Sequence, residues 1–255
     1  MATKAEPKTY AETADITFFG KRLKVLDLSR EISADIPIYP GHMKVNFWSH
    51  LTHEESRLRL GDSPFRGYAV TGMVLCDHVS THMDAVWHFN PDRPDLTIEA
   101  VPIELCFTEG VWIDVSDVRP RTHITLERVR EAMRQAGVDR LPKGGALLYY
   151  TGAAAKWTDH LAFVSQYPGL DEEASRWILD QGVVNVLTDA VSTDNPADLS
   201  YPNHRMHAEY LVNHTEVVNN IERIPMHQGF SVLLVPLRLV GCSASPVRAF
   251  ALWEA

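Results

Sequence analysis

The eleven residues His78-Val79-Ser80-Thr81-His82-Met83-Asp84-Ala85-Val86-Trp87-His88 contain three histidines and one aspartate. The chain carries 12 histidines in 255 residues, a density that would place roughly half a histidine in such a window, so the enrichment needs a chemical cause. His78 and His82 are four apart, which shares a face on a helix. His82 and Asp84 are two apart, which shares a face on a strand. No single regular element satisfies both spacings. A strand ending near Leu75 and followed by a tight turn is expected to let all three converge on one ion. Two neutral imidazoles and a carboxylate form a nitrogen and oxygen set that suits zinc or manganese, and three protein ligands leave coordination positions open, as catalysis requires. His88, four residues past Asp84, need not be a ligand. Its reference pKa of about 6.5 suits a proton carrier near neutral pH. The alternative is a turn whose polar side chains merely bond to backbone, which would explain one such histidine more readily than the whole group.

Outward from this stretch, short runs rich in Val, Leu, Ile and Tyr read as strands: Leu23 to Leu28, Ala69 to Leu75, Val111 to Val115, Ala146 to Tyr150, Val183 to Leu187 and Ser231 to Leu237. Several have the continuous apolar character of strands buried on both faces. Two helices interleave with them. The first runs from an N-cap at Thr125 through Leu126, Val129 and Met133, which share a face, to a stop at Gly137. The second covers Asp171 to Gln181, opening on Asp171-Glu172-Glu173 and ending at Gly182. Helix followed by strand occurs twice, which predicts an α/β or α+β domain with a few helices packed on sheets. The strand order cannot be read from these runs.

The composition, 45% hydrophobic and 22% charged, supports one substantial core, and no linker, repeat or low-complexity tract divides the chain. A formal charge of -9 opposes binding to nucleic-acid phosphates. No apolar run approaches a membrane span and the first residues lack the pattern of a secretory signal, so a cytoplasmic protein is expected. Cys76, Cys106 and Cys242 are scattered and read as free thiols. Residues 1–20 show no periodicity and read as a loose arm, either frayed or laid over a neighbouring subunit. A homodimer or higher homo-oligomer is expected.

The eleven-residue stretch resembles the signature of the putative cyclase family, which includes bacterial kynurenine formamidases and isatin hydrolases and reads His-x-Gly-Thr-His-x-Asp-x-Pro-x-His. His78, Thr81, His82, Asp84 and His88 match at the same spacing, while Ser80 stands in for the glycine and Val86 for the proline. Val25-Leu26-Asp27-Leu28-Ser29, Ile38-Tyr39-Pro40-Gly41, Thr188 to Asp194 and Gly241 to Arg248 are similar to further family segments. The resemblance implies a swivelling β/β/α cyclase-like single domain over residues 21–255. It also implies a second ion held by His204 and Glu216, with Asp84 bridging, although Val217 replaces the asparagine that usually follows the glutamate and His207 is a competing ligand. Asp189 and Asp194 are expected to cap the helix or turn that follows them.

The implied activity is metal-dependent hydrolysis of a C–N amide bond in a small molecule, with His88 as proton shuttle and one or two Zn2+ or Mn2+ ions. Trp87, Tyr39 and Trp48 are the candidate substrate-binding residues, aromatics able to clamp a flat ring. A cyclic amide of isatin or lactam type is ranked first and an aryl formamide such as N-formylkynurenine second. The first rank rests on Ala85-Val86-Trp87-His88-Phe89, which departs from the formamidase pattern. A polyketide-type cyclase would reuse the ion without consuming water. A non-catalytic metal-binding protein would have a coordinatively closed site.

Overall fold

The computed structural model describes residues 9–255. Its strands are β1 (Thr13–Phe18), β2 (Lys21–Asp27), β3 (Asn46–Leu51), β4 (Val70–Val74), β5 (His82–Asp84), β6 (Phe107–Asp114) and β7 (His123–Ile124), then β8 (Ala146–Tyr150), β9 (Gly169–Leu170), β10 (Asn185–Thr188), β11 (Asn213–Glu216), β12 (Gln228–Pro236) and β13 (Ala244–Glu254). The α-helices are α1 (His53–Leu58), α2 (Val86–Phe89), α3 (Leu126–Gln135), α4 (His160–Phe163), α5 (Glu172–Asp180) and α6 (Pro202–Tyr210). Nine strands form one sheet in the order β1-β2-β13-β12-β6-β8-β10-β11-β5. Because β5 also pairs with β13, the seven strands from β13 round to β5 close into a mixed barrel and the β1–β2 hairpin extends from it. The chain is thus a mixed α/β single domain.

Strands β6, β8, β10 and β11 run parallel to one another, and their period-2 alternation divides the core. Val111, Ile113, Leu147, Tyr149 and Val186 face α3 and α5. Trp112, Ala146, Leu148 and Leu187 face inward, against Met83, Val232, Leu234, Ala249 and Ala251 of the antiparallel strands. Burial on both faces is why these runs read as near-continuous hydrophobic segments. Each fully buried large aliphatic side chain contributes about 1.5–3 kcal/mol by leaving water.

The two expected helices form where the capping chemistry puts them. Thr125 accepts from the Arg128 N–H and Asp171 from the Ala174 N–H. Gly137 and Gly182 follow the helices with φ of 65° and 83°, the left-handed conformation that ends a helix and that a Cβ disfavours.

Three readings change. Thr13–Phe18, inside the segment expected to be a loose arm, forms an edge strand paired in register with β2; residues 1–8 of that segment lie outside the described residues. Ala69 to Leu75 does contain a strand, β4, but it pairs only with β3 in a separate two-stranded sheet and is largely exposed. The turn expected directly after Leu75 is a longer loop, and β5 itself carries His82 and Asp84. Among the described residues no helix is long and apolar enough to cross a membrane.

Candidate metal centre

Strands β5 and β11 pair antiparallel with His214 opposite Asp84 and Glu216 opposite His82. Residues two apart on a strand share a face, and directly opposed residues have neighbouring Cβ atoms. Two short segments, His82-Met83-Asp84 and His214-Thr215-Glu216, therefore build a square of four ligand-type side chains on one face, while Met83 points into the barrel core. The loop before β5 adds His78, and α6 adds His204.

The six side chains fall into two groups that share Asp84: His78, His82 and Asp84, and Asp84, His204, His214 and Glu216. Within each group one nitrogen or oxygen of every residue lies within 4.8 Å of the others. Asp84 divides its oxygens between them. Oδ1 lies 2.8 Å from His78 Nδ1 and 3.2 Å from His82 Nε2, and Oδ2 lies 2.9 Å from His214 Nε2.

A metal fits this donor set. His82 Nε2, both Asp84 oxygens and His214 Nε2 are buried without an aligned hydrogen bond. Stranding that many polar atoms would cost several kcal/mol in a site meant to stay empty of ions. Most of the histidines have their other ring nitrogen fixed. His82 Nδ1–H donates to the Ser80 carbonyl at 2.8 Å and His204 Nδ1–H donates to Asp194. His78 Nε2–H donates to Ser243 Oγ at 2.9 Å, whose own hydroxyl donates to Asp77. Such partners select the tautomer and aim the free nitrogen at the cluster.

The charges are interdependent. Burial opposes ionisation of Asp84, but His78, His88, His82 and His214 outweigh it and hold its carboxyl well below the usual range. Burial also pulls His82 and His214 down, yet Asp84 and Glu216 together lift them to about 9 and about 10. Without a cation, the cluster neutralises its carboxylates with imidazolium protons. His88 behaves oppositely. Burial, reinforced by the neighbouring His78, His204 and His214, takes it down to about 4 despite the pull of Asp84, below the near-neutral value expected for it, so it is neutral at pH 7. Its Nε2 lies 3.9 Å from Asp84 Oδ2, and its side chain is 30% exposed, facing a cavity of about 230 Å3.

That cavity is walled by His78, His82, His88, His204 and Glu216 together with Tyr39, His42, Tyr201 and Val217. Of the three aromatics expected to touch substrate, Tyr39 lines it. Trp87 is half-buried and is not part of its wall, and Trp48 lies on β3, packed over Gly72. His207, the competing ligand, stays out of the cluster. Its Nδ1–H donates to the Val212 carbonyl at 2.8 Å and its ring packs edge-on against His214. Asp194 accepts from the Asn203 and His204 N–H groups at the start of α6 and caps the following helix as expected, whereas Asp189 accepts from Thr151 and Ala154 and so caps the turn after β8, earlier in the chain, instead of the one that follows it. His214 was not anticipated. Its signal is the His-x-Glu spacing that repeats the His-x-Asp of His82 and Asp84.

Two strained residues bracket the square. Ser80 has φ 55° and Val217 φ 58°, and the left-handed region is an outlier for a β-branched residue. Ser80 stands where the family pattern has glycine, and its hydroxyl donates to the Arg30 or Glu31 carbonyl. Val217 stands where asparagine, which tolerates this region, is usual. The next rung of the ladder beyond Glu216 and His82 would pair Val217 with Thr81. The twist at Val217 is accompanied by a side-chain bond instead, Thr81 Oγ1–H donating to the Val217 carbonyl at 2.6 Å.

A closed mixed barrel carrying a buried histidine and carboxylate cluster, open to a small cavity, defines a metal-site protein of enzyme type. The model of the putative cyclase family matches residues 26–195, more than half of the chain, and the chain belongs to that family. A kynurenine formamidase of Bordetella petrii is 25% identical over 227 residues, covering 89% of this chain and 96% of the relative. Isatin hydrolase A from Ralstonia solanacearum superposes with a TM-score of 0.78 at 22% identity, covering 91% of this chain and 92% of that one. An isatin hydrolase bound to the product analogue thioisatinate gives 0.79 at 20% identity, covering 91% and 93%.

Proposed function

We propose that the chain hydrolyses the C–N bond of a small aromatic cyclic amide, of isatin or lactam type, opening the ring to an amino acid or amino-keto acid. The observation that carries this reading is the placement of His88, a neutral base on the cavity side of an otherwise buried ligand cluster. Zinc or manganese held by His78, His82 and Asp84, with a second ion on Asp84, His204, His214 and Glu216, would polarise the amide carbonyl and lower the pKa of the attacking water. His88 accepts the proton of that water and returns it to the departing nitrogen. That nitrogen remains attached to the ring-opened product. Tyr39 offers the ring a face to lie against, and a cavity of about 230 Å3 suits a single aromatic ring.

An aryl formamide is the second reading, favoured by the curated relatives named kynurenine formamidase. Turnover of both substrate classes in water labelled with heavy oxygen tests the reaction. One label in the new carboxylate or in formate supports hydrolysis. A product isomeric with its substrate would mean cyclisation, and an acyl group trapped on a serine or cysteine would mean covalent catalysis.

Homo-oligomerisation is proposed on separate grounds. Phe47, Trp48, Phe65 and Met73 are exposed on the excursion that contains β3 and β4, and a two-stranded sheet with apolar faces is marginal without a partner. Trp48 would reach substrate only if that partner brought it there. Light scattering that returned a monomer would sink this proposal.

A further inference from the structure

A second chamber of about 200 Å3 adjoins the metal-facing cavity and shares Tyr39, Ser192 and Tyr201 with it. The two phenols meet hydroxyl to hydroxyl at 3.5 Å, so the partition there is two side-chain tips joined by a weak contact. The mechanism above makes no use of this outer chamber.

The polar groups on its wall are one-sided. Tyr167 is 1% exposed, and among the described residues its hydroxyl has no hydrogen-bond partner while it lines the chamber. The side-chain oxygen of Asn195 accepts from the Ala197 N–H at 3.0 Å, which orients the amide and leaves its NH2 group as a donor. Arg121 is the one cation lining the chamber, and its guanidinium makes a single hydrogen bond, to the Ser165 carbonyl at 3.3 Å.

The two carboxylates on the wall, by contrast, already have partners. Asp194 Oδ1 accepts from the Asn203 N–H at 2.7 Å and Oδ2 from the His204 N–H at 3.0 Å and from its imidazole. Asp198 Oδ1 accepts from the Ser200 N–H at 2.9 Å, and its Oδ2 lies 3.3 Å from His123 Nε2. With both wall carboxylates facing imidazole or N–H partners of their own, the unused donors suit an acceptor-rich anion. A guanidinium beside a phenol and an amide NH2 matches a carboxylate.

We infer that the outer chamber is a subsite for a carboxylate carried by the substrate, recognised by Arg121, Tyr167 and Asn195. The inference rests on the amide-hydrolase reading of the neighbouring cavity and narrows its substrate class to aromatic amides with an acidic side arm. The arm passes between Tyr39 and Tyr201, which must part to admit it.

The probes are 3-phenylpropionate and its neutral counterpart 3-phenylpropan-1-ol, neither of which contains an amide. Both are titrated calorimetrically into the metal-loaded protein and into Arg121→Gln, Tyr167→Phe and Asp84→Ala. The acid is expected to bind the wild type about tenfold or more tightly than the alcohol, the preference of a charge-assisted contact. Arg121→Gln should remove most of that preference, Tyr167→Phe part of it, and Asp84→Ala none. Equal affinities, or no binding of either probe, would overturn the inference. So would a preference that survives Arg121→Gln but vanishes in Asp84→Ala, because the carboxylate would then sit on the metal cluster. Arg121 is exposed and its replacement does not endanger folding. A preference that behaves as expected in a protein that hydrolyses no amide would keep the subsite and discard the amide reading.

Discussion

Loading the metal-free protein with Zn2+ or Mn2+ at pH 7.5 is expected to release about two protons. The count follows from the cluster. His82 and His214, lifted to about 9 and about 10 by Asp84 and Glu216 against the opposing effect of burial, are both protonated at that pH, and a ligand nitrogen must be neutral to bind. A raised pKa means that the proton is held below it, so the metal competes with protons throughout the range below 9. Affinity for the ion on His82 should climb about tenfold per pH unit and level off near 9, and affinity for the ion on His214 should do the same and level off near 10. Calorimetric titration in several buffers of different ionisation enthalpy gives the proton count as the slope of observed heat against buffer enthalpy. A slope near zero with pH-independent affinity would refute the reasoning, since the imidazoles would then already be neutral and the carboxylates could not be charged as described.

His88→Ala should keep its metal and lose about a hundredfold to ten-thousandfold in kcat, the usual contribution of a general acid or base; metal analysis beside steady-state kinetics separates a shuttle from a ligand. Asp194→Asn, which removes the carboxylate behind His204 Nδ1, should weaken metal binding by about 10–100-fold while leaving the fold intact, as read by competition with a chelating dye. Val86→Pro should stabilise the protein. Val86 is the first residue of α2, and Ala85 before it is extended at φ -81° and ψ 157°, so proline meets no clash and rigidifies the unfolded chain by about 0.4–1 kcal/mol. Scanning calorimetry should show a rise of about 1–4 °C, and a lower midpoint would mean that the packing lost with the buried Val86 side chain outweighs the gain.

What the sequence made legible and what it hid have physical causes. Ala146–Tyr150 and the helices with Thr125 and Asp171 caps were readable because burial on both faces and capping leave local signatures. Closure of the barrel was not, because it depends on β13 pairing with β2 and β12 along most of its length and with β5 at its start. Pro246 and Arg248 also disguise that strand, proline being tolerated near the point where β13 changes partner. Helix α6 opens on Pro202 and buries Asn203 and His207, polar residues that break an apolar stripe. Val70–Val74 did form a strand as expected, but its composition gave no hint that it would lie on a largely exposed two-stranded hairpin. At the site, the His78 to His88 cluster was dense enough to stand out locally. His214 was lost because a lone histidine before Glu216 gains meaning only when β11 lies beside β5.

Metal content by mass spectrometry, measured side by side on the purified wild type and Asp84→Ala, tests the central claim most directly. Asp84 belongs to both ligand groups, so the wild type should carry about one to two equivalents of zinc or manganese and Asp84→Ala should carry neither ion. A wild type that stays metal-free after dialysis against either ion, or an Asp84→Ala protein with the full load, would contradict the account.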